Sequence, residues 1–263
     1  MPRFAANLSM LFQERDFLDR FAVAAACGFR GVEFLFPYEW PAAEIRARLD
    51  ENGLEQVLFN LPPGDWAAGE RGLAALPGRE REFADSVELA LDYATALDCR
   101  RLHVMAGCPG PDVDPRDAMA TYVANLRLAA DRLEPHGITM LVEPINQRDV
   151  PGYFLRDSAM AQRVLDAVGR SCAKLQFDLY HAQVSEGDLC MRLRNLMPLI
   201  GHMQVANPPD RREPSEGEVN FPYLFALTDA LGYEGWIGCE YRPAGTTEDG
   251  LGWAEPYGIS ACR

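Results

Sequence analysis

Eight short apolar runs, each followed by a segment with helical periodicity, constrain this chain more than any other feature of its sequence. The runs are "RFAANLS", "GVEFLF", "LEQVLFNLP", "RLHVMAG", "ITMLVEP", "KLQFDLYH", "IGHMQVAN" and "GWIGCEY". Strands that alternate with helices build a parallel sheet, and eight such units in 263 residues predict a closed (β/α)8 TIM barrel. An open doubly wound sheet is the rival, but no glycine fingerprint follows the first run. The helical segments are expected over 14–28, 41–53, 80–98, 115–134, 157–168, 187–196 and 221–231. Pro41 near a start, and Gly28 and Gly53 past ends, punctuate them. No linker or low-complexity tract divides the chain, so residues 1–263 are expected to form one barrel domain.

In such a barrel the active site lies at the C-terminal ends of the strands. Those ends read Asn7, Glu33, Asn60, His103, Glu143, Asp178, Gln204 and Glu240. The last four are 35, 26 and 36 residues apart, close to one strand–helix unit. Successive strands thus each aim one oxygen at the same rim, and three carboxylates there repel each other unless a cation neutralises them. Oxygen donors suit a hard ion, which predicts Mg2+ or Mn2+ held by Glu143, Asp178, Gln204 and Glu240. A lone acid at a strand end more often caps a helix or faces solvent; it is the four in register that point to a metal. His181 lies three residues beyond Asp178, and Arg211 and Arg212 lie in the loop after the seventh strand. His103 and His202, inside apolar runs, are expected to be buried and hydrogen-bonded. Phe36, Tyr38 and Trp40 are expected to pack. The long loop 62–78, with Trp66, Glu70 and Arg71, has the length of a lid.

Net charge of −14 makes nucleic acid a poor partner. Seven cysteines, an odd number without a CxxC pair, read as reduced thiols. The start "MPRFAANLSMLF" lacks a signal-peptide pattern, and no apolar stretch is long enough to span a membrane. A cytoplasmic location is expected.

From "FAANLSMLF" through "GVEFLFPYEW", "LFNLPPGDWAAGERG", "VEPIN", "QFDLYHAQ" and "GHMQVANPPDRREPSEGEVNFPYLF" to "GYEGWIGCEYRP", the sequence resembles the hydroxypyruvate isomerase family. That family sits within the xylose-isomerase-like barrel superfamily. "PGDWAAGERGLAALPGRE" and "TEDGLGW" look equally like its 2-oxo-tetronate isomerase branch. The resemblance implies that Glu143 and Glu240 form a proton donor and acceptor pair, and that Glu143, Asp178, Gln204 and Glu240 surround a divalent metal. Related ketose epimerases usually carry histidine at the position of Gln204, so this rim is the richer in oxygen. The resemblance further implies that His181 and Arg211 hold substrate oxygens, with Arg212 one step away, and that the protein is a homo-oligomer. The expected reaction is isomerisation of a small hydroxy-oxo acid through an enediolate: hydroxypyruvate to tartronate semialdehyde, or a 2-oxo-tetronate to its 3-oxo isomer. A metal-dependent ketose epimerase is the near alternative. A non-catalytic sugar-acid-binding barrel is more remote. An abasic-site endonuclease fits poorly with four histidines and the acidic charge.

Overall fold

A computed structural model describes residues 1–262. Eight parallel strands close on themselves in chain order: β1 (Arg3–Asn7), β2 (Gly31–Glu33), β3 (Glu55–Asn60), β4 (Arg101–His103), β5 (Thr139–Val142), β6 (Ala173–Asp178), β7 (Ile200–Val205) and β8 (Trp236–Cys239). The helices outside them are α1 (Arg20–Ala26), α2 (Ala42–Asn52), α3 (Glu80–Leu97), α4 (Pro115–Leu133), α5 (Ser158–Val168), α6 (Leu179–Ser185), α7 (Leu189–Leu196) and α8 (Phe221–Ala230). The expected TIM barrel is the observed fold.

Local chemistry explains the boundaries. Gly53 adopts the left-handed conformation that ends α2, at φ 63°. Asp114 caps α4 by accepting from the Arg116 amide, with Pro115 in its first turn. Asp157 caps α5 through the Met160 amide. Two expectations need correction. The first helix is shorter than 14–28: a 3-10 turn (Phe17–Asp19) precedes α1. The single helix expected at 187–196 is preceded by another, α6, which starts directly at the end of β6. Asp178 caps α6 by accepting from the Tyr180 amide at 2.8 Å, and Gly187 and Asp188, at φ 68° and 51°, separate it from α7.

Both faces of a parallel barrel are covered, so its strands are nearly all buried. On the outside, Phe4 of β1 meets Phe225 of α8 edge-on, with Trp253 and Tyr257 of a closing 3-10 segment (Glu248–Tyr257) against it. That segment gives the C-terminal stretch a role the sequence did not announce: it covers the outer face of β1 beside α8. Inside, Ala5, Val57, Leu58, Leu141 and Trp236 form an apolar plug. Above the plug the interior turns polar: Glu33, His103, Gln176, His202 and Gln204 are all buried. A buried polar group is tolerable only when hydrogen-bonded: Glu33, Gln176, His202 and Gln204 partner one another, and His103 partners Asn60. All seven cysteines are free thiols, and among the described residues no helix is long and apolar enough to cross a membrane.

Candidate active site

The strand ends deliver their polar side chains as the alternation demands. Asn7, Glu33, Asn60, His103 and Asp178 are the last residues of their strands, Gln204 is last but one, and Glu143 and Glu240 follow β5 and β8 directly. Asp178 is opposite Gln204, and Gln204 opposite Gly238, in the strand register. Glu143, Asp178 and Glu240 are only 4, 3 and 6% exposed.

Arg211 enters this carboxylate cluster from the loop after β7. Its Nη2 lies 2.5 Å from Glu240 Oε2 and 3.4 Å from Asp178 Oδ2. Its guanidinium sits over the Tyr180 ring at 4.9 Å, and its backbone adopts the left-handed region at φ 58°. A non-glycine residue held there needs tertiary support. The Arg242 amide supplies some of it, donating to the Arg211 carbonyl at 2.7 Å, and Arg211 Nε donates to the Glu240 carbonyl at 3.2 Å. Arg212 turns away and donates to the carbonyls of Arg242 and Pro243. Of the two arginines, the structure brings Arg211 to the rim.

Burial moves the titrations. Glu143 is pushed well above the usual carboxylate range, by burial first and then by Glu240 and Asp178. Glu240 is pushed up to about 8 by burial, with Asp178 and Glu33 adding to the rise and Arg211 opposing it. Asp178 is raised by burial, against the pull of Arg211. Burial disfavours charge on Arg211, yet Glu240, Asp178 and Glu143 outweigh it and the net shift is upward. Three carboxylates around one guanidinium interact strongly and titrate as a set.

Two histidines border the cluster. His181 accepts from Asn146 Nδ2 at 2.7 Å through Nδ1, which leaves Nε2 facing Asp178 Oδ2 at 3.6 Å. Its pKa falls well below the usual value through burial, with Arg211 and His103 adding to the fall. His103 lies 3.2 Å from Asn60 Oδ1 and 3.6 Å from Glu143 Oε2, and burial, then His202, lowers its pKa to about 3. His202 is buried against Glu33 at 2.8 Å. Both are the buried, hydrogen-bonded histidines expected, but His103 also looks onto the site.

One donor set fits a divalent ion. Glu143, Asp178 and His181 each offer an atom within 4.8 Å of the others, and the buried Glu143 Oε1 has no hydrogen-bond partner among the described residues. The four-residue set expected from the spacing is only partly gathered. Gln204 Oε1 accepts from Gln176 at 2.7 Å, Gln204 Nε2 donates to Glu33 at 2.8 Å, and Glu240 is engaged by Arg211. His181 lies beside Glu143 and Asp178 in the donor cluster. Gln176 and Asn146 went unrecognised in the sequence. Gln176 left a signal, since it is two residues before Asp178 and strand alternation turns both inward.

The 62–78 loop is ordered by its own polar groups. Glu70 pairs with Arg79 at 2.7 Å and accepts from the Asp65 amide, so it braces the loop. Trp66 is 41% exposed, packs edge-on against Phe36 at 5.1 Å, and carries Arg71 over its ring. Trp40 stacks on Phe17 and Tyr38 on Tyr93, as packing aromatics do; Phe36 differs by facing the loop.

A barrel with acids and amides aimed at its C-terminal rim is the architecture of a large enzyme class. The chain belongs to the family described as xylose isomerase-like TIM barrel, whose profile matches residues 21–257. Over 257 residues it is 58% identical to the 2-oxo-tetronate isomerase of Cupriavidus necator, covering 98% of this chain and 99% of that one. It is 49% identical to the hydroxypyruvate isomerase of Escherichia coli over 98% of this chain and 100% of that one. A Brucella melitensis crystal structure, described as an AP endonuclease of family 2, superposes with a TM-score of 0.96 at 54% identity, covering 98% and 99% of the two chains.

Proposed function

We propose that this protein is an isomerase of small hydroxy-oxo acids that moves a proton between adjacent carbons with Glu143 and Glu240. The observation that carries the reading is the pair itself: two buried carboxylates at the ends of β5 and β8, both with raised pKa, one held by a guanidinium and the other with a free oxygen. Full-length identity to relatives named for this reaction supports it, and the higher identity favours a 2-oxo-tetronate over hydroxypyruvate as substrate.

The chemistry follows from the raised acidities. A C–H beside a carbonyl is a weak acid, and its removal needs a base whose pKa lies near the working pH. Glu240, ion-paired with Arg211, serves as the base, accepting the proton from one carbon. Glu143, deeply desolvated, acts as the acid and delivers a proton to the neighbouring carbon. The electron pair released from the broken C–H bond forms the enediolate carbon–carbon double bond. It returns as the new C–H bond while the second oxygen gives up its hydroxyl proton and becomes the carbonyl, and the first oxygen takes up a proton and becomes the hydroxyl. The roles exchange in reverse. Arg211 and His181 hold the substrate carboxylate and oxygens, and the 62–78 loop covers them and excludes water.

Glu143 and Asp178, with Gln204 and Glu240 bordering them, would hold Mg2+ or Mn2+, and His181 beside them is left for substrate. Such an ion supplies Lewis-acid stabilisation to the oxygens of the enediolate. Redox balance stays within the substrate, so the reaction needs no nicotinamide or flavin. A DNA-cleaving role has the acidic rim and the −14 charge against it. The reduced cysteines support a cytoplasmic location, and a homo-oligomer is expected in gel filtration.

The test is proton NMR in deuterated water with Mg2+ or Mn2+, offering hydroxypyruvate and, separately, 2-oxo-tetronates. Product signals with deuterium at the exchanged carbon support the isomerase and rank its substrates. Inert spectra from folded, metal-supplied protein rule it out.

A further inference from the structure

Beneath the proton-transfer pair lies a buried carboxylate that the reading above does not use. Glu33 ends β2 at 0% exposure. Three side chains point at it: His202 Nε2 at 2.8 Å, Gln204 Nε2 at 2.8 Å and Asn7 Nδ2 at 3.0 Å. The space for it is made by β8, where a Cβ on Gly238 would lie 2.2 Å from Glu33 Oε1.

From Glu33 two chains of amides run to the two rim glutamates. The first has one link: Asn7 Nδ2, which donates to Glu33, also lies 3.3 Å from Glu240 Oε1. The second has two. Gln204 donates to Glu33 and accepts from Gln176 Nε2 at 2.7 Å. Gln176 in turn stands beside Glu143, where the β5–β6 register that pairs Val142 with Leu175 continues.

The direction of both chains follows from donor chemistry. Glu33 accepts from the Gln204 NH2 group, which turns the Gln204 oxygen to Gln176. Gln176 presents its NH2 group to that oxygen, at the position next to Glu143. Asn7 likewise divides its two N–H bonds between Glu33 and Glu240, while its own oxygen accepts from the Ser9 amide at 3.1 Å. One acceptor at the barrel axis therefore sets the sense of every amide between it and the two glutamates.

We propose that Glu33 is a positioning residue for the reaction, orienting Glu240 through Asn7 and Glu143 through Gln204 and Gln176. The proposal rests on the isomerase reading for its kinetic consequence and on the geometry alone for its structural one. Glutamine at position 33 would keep the size but offer a donor as well as acceptors, so neighbouring amides lose their single orientation.

The experiment compares wild type, Glu33→Gln, Gln176→Leu and the double variant, each checked for folding by circular dichroism. Misplacement of reacting groups by about 1 Å costs on the order of 100-fold, so Glu33→Gln is expected to lower kcat roughly 10- to 100-fold. KM should stay within about threefold, because His181 and Arg211 still hold substrate. Adding Gln176→Leu to Glu33→Gln should cost much less than it does in wild type, since that branch is already disordered. A merely structural role would give multiplying losses and no split between kcat and KM. If Glu33→Gln does not fold, Gln176→Leu and Asn7→Leu each cut one branch and leave the carboxylate in place, and the same split is expected of them. A folded variant with kcat within about twofold of wild type overturns the proposal. Should wild type convert no hydroxy-oxo acid, the crystal structure of Glu33→Gln decides instead: displaced Glu143 and Glu240 side chains support the positioning role, and unmoved ones end it.

Discussion

Arg211 holds Glu240 through both of its ends: Nη2 lies 2.5 Å from the carboxylate Oε2, and Nε lies 3.2 Å from the main-chain carbonyl of the same residue. One side chain thereby fixes the head and the root of a proposed base, and it supplies the positive charge for a cluster holding three acids. Most of the expected chemistry depends on this arrangement.

Replacing Glu143 or Glu240 by glutamine keeps shape and removes the proton-transfer group. Each variant should lose roughly 10²- to 10⁴-fold in kcat, the usual contribution of a general acid or base. The fold should survive, since a neutral amide relieves like-charge repulsion in a desolvated site. Deuterium exchange and a thermal melt check both halves of the expectation. Wild-type turnover by either folded variant would falsify the assignment of that residue.

Arg211→Met removes the only guanidinium paired with Asp178 and Glu240 among the described residues. Breaking a buried pair by deleting one partner costs about 3–5 kcal/mol, here reduced because the carboxyls can take up protons. A lower melting temperature and a raised KM are expected. Mn2+ should bind more tightly, because a competing cation is gone; calorimetry reads this directly. Chelation of wild type should abolish turnover, with Mn2+ restoring it.

The pH dependence of stability has two opposed limbs, measured with chelator present. His103 has its folded pKa lowered from 6.5 to about 3, so the unfolded chain binds the extra proton between those values. Its contribution is complete above the unfolded pKa and is lost as pH falls toward 3. Glu240 is the reverse case, with its pKa raised from 4.5 to about 8. Its contribution is complete below 4.5 and disappears as pH rises through 8. Denaturant midpoints should therefore show a flatter alkaline limb in Glu240→Gln and a flatter acid limb in His103→Gln.

Gly238→Ala drives a methyl group into Glu33 Oε1. Overpacking of this kind costs about 1–3 kcal/mol. A lower melting temperature is the expected outcome, and a variant as stable as wild type would mean that the carboxylate has room to move.

Trp66 is exposed and packs edge-on against Phe36. Trp66→Ala should leave stability within about 0.5 kcal/mol. If the 62–78 loop covers substrate, KM rises; unchanged kinetics would make it a surface loop.

The barrel was readable in the letters because strand and helix periods are local: apolar runs of strand length, then amphipathic segments closed by Gly53 or opened near Pro41. So were the strand-end residues, since alternation decides which side chain of a strand faces inward. The short α6 was hidden, because the residue that starts it, Asp178, reads equally as a site acid; in the structure it is the cap as well.

The sequence alone determined the fold class and the roster of rim acids, because both follow from the order and period of residue types. Only the tertiary structure decided how those acids are shared out. Asp178 meets His181 and Glu143; Glu240 meets Arg211, which lies 29 residues earlier in the chain; Gln204 turns its amide toward Glu33, 171 residues away. Hydrogen-bond direction and desolvation depend on distances between strands that no local pattern encodes. The raised acidities of Glu143 and Glu240 exist only once the barrel has closed around them.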